Sequence, residues 1–140
     1  MPETPMSETT ILVVEDDPTV LEFATTALVR GGYTVLSATN GVEALEQIEQ
    51  HKGEIHLVLS DIDMPKMDGI QLAKELKTEK PEIKILIMSG GITEKDFNAD
   101  PDTKDFPFLQ KPFDMSMMLN KVKETLNGSE QPSNSPEVSE

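Results

Sequence analysis

The alternation of short β-branched runs with amphipathic stretches constrains this chain more than any other feature. TILVV at 10 to 14 leads into a helical pattern of Val20, Phe23, Ala24, Ala27 and Leu28, which Gly31 and Gly32 end. YTVLS at 33 to 37 leads to a helix opened by Asn40, with Glu43 three residues on in capping-box spacing and Ala44, Leu45 and Ile48 on the inner face. HLVLS at 56 to 60 runs into the loop DIDMPKM and then a helix in which Asp68 and Gln71 repeat that spacing, with Ile70, Leu72, Ala73 and Leu76 inward. IKILIMS at 83 to 89 is almost continuously apolar, as a central parallel strand covered on both faces must be. FPFLQ at 106 to 110 precedes Lys111-Pro112 and the cap Asp114, after which Met115, Met118, Leu119, Val122 and Leu126 share one helical face before Gly128. Strands that alternate with helices are joined by right-handed crossovers, so the expected fold is α/β: a five-stranded parallel sheet between two helical layers, a three-layer sandwich.

A chain of 140 residues has room for one ordinary domain. Residues 1 to 8 and 129 to 140 are rich in Pro, Ser and Glu and read as flexible tails, which leaves 9 to 128 as the folded domain. There is no cysteine, so a metal would be held by oxygen or by His51 and His56, and oxygen suits better because two unpaired histidines make a poor site. Both histidines read as surface or strand-edge residues. A net charge of −14 repels phosphate backbones and anionic lipid alike, which argues against nucleic-acid binding. No apolar run approaches the roughly 20 residues of a membrane span and the N-terminus has no signal-peptide pattern, so a cytoplasmic protein without membrane insertion is expected. The stretch 90 to 107, GGITEKDFNADPDTKDFP, offers Thr93 and Asp96 as caps for a turn of helix. Pro101 and few apolar residues deny that helix a firm anchor, and 90 to 106 is expected to be the least stable part of the fold.

In an open parallel sheet, ligands bind beyond the carboxyl ends of the strands. Glu15-Asp16-Asp17, Asp61, Ser89 and Lys111 stand there: carboxylates, a hydroxyl and an ammonium. Clustered carboxylates repel one another, so the set makes sense around a hard cation such as Mg²⁺, with Mn²⁺ as the alternative. Lys111 adds a compact positive charge able to pair with a carboxylate first and a phosphoryl oxygen later. Asp17 precedes Pro18 and reads as a helix cap, outside the metal set.

ILVVEDDP, LVLSDIDMPKMDG, LIMSGG and FLQKPF resemble, in this order, the signatures of bacterial response-regulator receiver domains, over roughly residues 9 to 127. FLQKPF and SGG are also similar to the receivers of hybrid histidine kinases. The resemblance implies a flavodoxin-like sheet of order 2-1-3-4-5 and Asp61 as phosphoacceptor. It implies a metal site of Glu15, Asp16, Asp61 and Asp63, with Asp16 a direct ligand, Glu15 acting through water and Asp63 contributing its backbone carbonyl. Ser89 and Lys111 would complete the catalytic set, Ser89 and Phe108 would form the switch, and Lys111-Pro112 would be cis. Partners implied are a histidine kinase or histidine phosphotransfer protein and a downstream protein target, met by a monomer or weak dimer. Departures are Glu15 in place of the more frequent Asp, Phe108 without the hydroxyl of Tyr, and the weak fourth helix.

Blander readings stand beside these. Ser89 alone ends a strand, Lys111 alone is a solvated charge, Phe108 is core, and Gly69 opens a helix. Other functions compete as well. Asp61-Ile62-Asp63 matches the DxD of haloacid-dehalogenase-like phosphatases, but it follows the third strand and continues into Met64-Pro65, with no room for a cap domain. A calcium loop would need a ligand and a glycine where Pro65 and Lys66 stand. A phosphorylation-independent adaptor would lack a site residue, and none is missing. The expectation is a phosphoacceptor that catalyses its own modification and turns over no separate substrate.

Overall fold

The computed structural model describes residues 9–62, 68–101 and 103–127. The two terminal stretches read as tails, and Asp63 and Gly128, lie outside them. Five strands and five helices alternate: β1 (Thr10–Val14), α1 (Pro18–Arg30), β2 (Thr34–Ala38), α2 (Gly41–Gln50), β3 (Leu57–Asp61), α3 (Gly69–Glu79), β4 (Lys84–Ser89), α4 (Glu94–Ala99), β5 (Phe108–Gln110) and α5 (Met115–Leu126). All strands are parallel, in the order β2-β1-β3-β4-β5.

Period-two alternation along the central strands sorts the core into two halves. Leu12, Val14, Val58, Ile85 and Ile87 face α2, α3 and α4, where they meet Ala44, Leu72, Leu76 and Phe97. Ile11, Val13, Leu57, Leu59, Leu86 and Met88 face α1 and α5, where they meet Ala24, Leu28, Met118 and Val122. The three layers expected from the alternation are therefore present. No helix among the described residues is long and apolar enough to cross a membrane.

Helix starts follow the capping residues. Asp17 accepts from Thr19 N at 2.9 Å, Asp114 from Met117 N at 2.8 Å, and Asp68 and Gln71 close a reciprocal capping box. Asn40 accepts from Glu43 N at 2.8 Å, while the Glu43 carboxylate reaches back to Thr39 N at 2.7 Å. Strand limits move by a residue or two from expectation, each for a traceable reason. Tyr33 N closes α1 on Leu28 O, so the β2 ladder starts at Thr34. Phe106 N turns back onto Thr103 O and proline has no N–H to give at 107, so β5 begins only at Phe108.

The segment after β4 departs most from expectation. Residues 94–99 form a short helix capped by Thr93, whose hydroxyl accepts from Asp96 N at 3.1 Å. The helix is anchored after all: Phe97 is fully buried and stacks on Phe108 with ring centroids 4.3 Å apart, and the Thr103 hydroxyl donates to Phe97 O at 2.6 Å. One large aromatic in the right register thus replaces the apolar stripe that the segment lacks.

Candidate functional site

The site lies at the carboxyl edge of the sheet, because β1, β3, β4 and β5 all end there. Glu15 N extends the ladder one step past β1 by donating to Ala38 O at 3.0 Å, which turns the Glu15 side chain inward. Asp16 is exposed and Asp17 caps α1. Asp61 is the last residue of β3, paired in register with Met88, and is buried. Ser89 ends β4, and Lys111 N donates to Ser89 O at 2.9 Å, which fixes the start of the Lys111 side chain. The Lys111-Pro112 bond is cis, as the resemblance implied.

Lys111 Nζ bridges two carboxylates, Glu15 Oε1 at 2.9 Å and Asp61 Oδ1 at 3.0 Å. The other Glu15 oxygen accepts from Asp17 N at 3.1 Å. Burial pushes the Glu15 carboxyl above the usual range; the hydrogen bonds from Lys111 and from Asp17 N work against that shift. For Lys111, burial lowers the pKa, but hydrogen bonds to Glu15 and Asp61 and the charges of both more than offset this, and the ammonium is held above its ordinary value. The cluster is therefore braced by a cation that belongs to the chain.

Carboxylate oxygens of Glu15, Asp16 and Asp61 lie within 4.8 Å of one another, a hard donor set that fits a divalent cation. With both Glu15 oxygens already engaged, the exposed Asp16 is the carboxylate better placed to reach an ion directly. His56 is elsewhere, beside the start of β1, where its Nδ1 accepts from Thr10 N at 3.0 Å and its Nε2 lies 3.4 Å from Glu54. His51 caps the end of α2.

Of the residues singled out in the sequence, the structure brings Glu15, Asp16, Asp61 and Lys111 into one cluster and sets Ser89 beside it. The Ser89 hydroxyl accepts from Gly91 N at 3.0 Å, which leaves its proton available to a further acceptor. Phe108 is buried in the stack with Phe97. Two neighbours carry more weight than the sequence indicated. Gly69 opens α3 against the backbone of Asp61, so close that a Cβ would overlap Asp61 O. Gln110 sends its carboxamide across to the loop after Ser89; a polar residue inside the otherwise apolar FLQ run is the signal that could have flagged it.

Comparison with known proteins agrees with this geometry. Residues 11–123 match the response regulator receiver domain family. The chain is 42% identical over 117 residues to the sensor kinase CckA of Brucella abortus (strain 2308), covering 84% of this chain and 12% of the kinase. It is 35% identical over 117 residues to the response regulator receiver protein CpdR of the same organism, covering 83% of this chain and 95% of that protein. Among solved structures, the response regulator protein TrrA from Thermotoga maritima, in complex with Mg(2+)-BeF, superimposes with a TM-score of 0.73 at 30% identity, over 84% of this chain and 98% of that one. With a five-stranded 2-1-3-4-5 sheet and an acidic pocket at its carboxyl edge, the chain belongs to the response regulator receiver domain family of two-component signalling.

Proposed function

We propose that this domain takes a phosphoryl group onto Asp61 from the phosphohistidine of a histidine kinase or a histidine phosphotransfer protein, in a Mg²⁺-dependent reaction, and signals by protein contact. The observation that carries this reading is the Lys111 ammonium, 3.0 Å from Asp61 Oδ1 at the open edge of the sheet. Phosphoryl transfer needs an in-line nucleophile and positive charge at the phosphoryl oxygens, and little else.

A carboxylate oxygen of Asp61 forms the new O–P bond as the donor's P–N bond breaks, and the imidazole leaves, its freed nitrogen taking a proton from solvent. Lys111 is already within hydrogen-bonding distance of the nucleophile, so small movement of a flexible side chain brings it to a phosphoryl oxygen without a search. Ser89 donates its hydroxyl proton to another. Asp16 and Asp61, with Glu15 in support, would hold a divalent cation, which would supply further positive charge at the phosphoryl oxygens. The complex of TrrA with Mg(2+)-BeF and the similarity to a segment of a sensor kinase support this assignment. No separate substrate is turned over: Asp61 is both acceptor and catalyst.

Incubation with acetyl phosphate and Mg²⁺ is expected to add one phosphoryl group, read by intact mass, and Asp61→Asn to abolish the addition. Equal uptake by that variant would disprove the nucleophile. Sustained turnover of small phosphate esters would instead favour a phosphatase.

A further inference from the structure

Gln110 is the last residue of β5, paired in register with Ser89, and its side chain does not serve the strand. Its Oε1 accepts from Glu94 N, the first amide of α4, at 2.8 Å. Its Nε2 donates to Ile92 O at 3.0 Å and, at 3.4 Å, to Ser89 O. The partners fix the orientation of the amide, since the reverse placement would set NH₂ against an N–H and oxygen against two carbonyls. One carboxamide thus grips both ends of the Ser89–Glu94 segment from outside it.

Two features place this grip on the path out of the site. Within the segment, the Ser89 hydroxyl accepts from Gly91 N, so the hydroxyl and the loop are already joined. On the other side, Gln110 is followed by Lys111, whose amide shares Ser89 O with the Gln110 side chain. α4 has only six residues, and two of its N-terminal amides are met from outside the helix, Asp96 by Thr93 and Glu94 by Gln110. The first turn of α4 is therefore fastened to β5 as much as to its own helix.

We propose that Gln110 is a positioning residue of the phosphoryl-accepting site, fastening the Ser89–Glu94 segment to β5 so that a change at Ser89 and Lys111 on phosphorylation reaches the start of α4. The proposal rests on Asp61 being the phosphoacceptor. Gln110 touches neither the nucleophile nor a metal ligand; it acts through Ser89 and the loop.

Hydrogen exchange of the whole chain, with and without acetyl phosphate and Mg²⁺, tests it. In unphosphorylated Gln110→Leu, the Glu94 amide is expected to exchange about tenfold faster, the upper end of what one hydrogen bond is worth, with β3 protection unchanged. Once intact mass shows the variant to carry the phosphoryl group, residues 91–99, expected to change protection on phosphorylation in the wild type, should no longer do so. A merely structural glutamine would leave that response intact, and an intact response in the variant overturns the proposal; so does Glu94 exchange that stays as in the wild type. Should the leucine variant fail to fold, Gln110→Glu retains the acceptor for Glu94 and removes the donor to Ile92 and Ser89. There Glu94 should stay protected while the response is lost, and a retained response again overturns the idea. A wild type that takes up no phosphoryl group would refute the phosphoacceptor reading and the coupling with it, while Glu94 exchange would still decide whether the fastening exists.

Discussion

At Gly69 the chain has no room for a side chain. A Cβ there would overlap Asp61 O, sit 2.9 Å from Asp61 C and 3.0 Å from Ile62 Cα, all backbone atoms that cannot rotate away. Gly69→Ala is expected to destabilise by about 1–3 kcal/mol, the usual cost of overpacking, and to slow phosphoryl uptake because the nucleophile's own backbone must shift. Urea unfolding and acetyl phosphate labelling check the two effects. Asp16→Asn should weaken Mg²⁺ binding and phosphorylation together, with the fold intact since Asp16 is exposed; an unchanged Mg²⁺ titration would move the ion elsewhere. The pH profile follows from Glu15 and Lys111, with the same sign in two separate windows. Glu15 is raised above 4.5 in the fold, so the native state holds its proton longer, and stability should fall as pH rises from 4.5 through the raised value; Glu15→Gln should flatten that limb. Lys111 is raised above 10.5, so its contribution is complete below 10.5 and is lost as pH climbs through the folded value. Urea midpoints measured across both limbs would show each slope. The sequence disclosed these residues by type and by position after a strand, but not that one ammonium would join two of the carboxylates, because that depends on how the strands are ordered in space.

Among the elements, those with strong periodicity are legible to within a residue or two, and the one without it is legible at its Thr93 cap but not in its anchor. β4 and α5 carry long apolar patterns and appear where the patterns lie. α4 rests on Phe97, whose meaning depends on a partner in another element, and local reading counts apolar neighbours and misses a single stack. Phe97→Ala should cost about 3–5 kcal/mol, as aromatic truncations in a packed core do, and should speed exchange of residues 93–99 first. Hydrogen exchange is still expected to be fastest at 90 to 106 among the described segments, with the Phe97 amide, bonded to Thr93 O at 2.9 Å, a protected point within it. Uniform protection equal to that of the strands would refute this.

For the whole molecule, the order of strands was implied by resemblance rather than by periodicity, since alternation of strands and helices leaves the order of a parallel sheet open. That order puts β3 at the centre with β1 and β4 on either side, and brings Lys111, which follows the last strand, to Glu15, which follows the first. The ion pair closes a separation of 96 residues. A chain in which β5 has not yet docked has its acidic groups but no ammonium beside them, so long-range closure must precede competence. During refolding, phosphoryl uptake should therefore recover no earlier than amide protection of Phe108–Gln110. The bond that joins the ends of the first and last strands in the chain then acts as a proofreader: on the proposed function, only a finished molecule can be written on, and a half-made one stays blank.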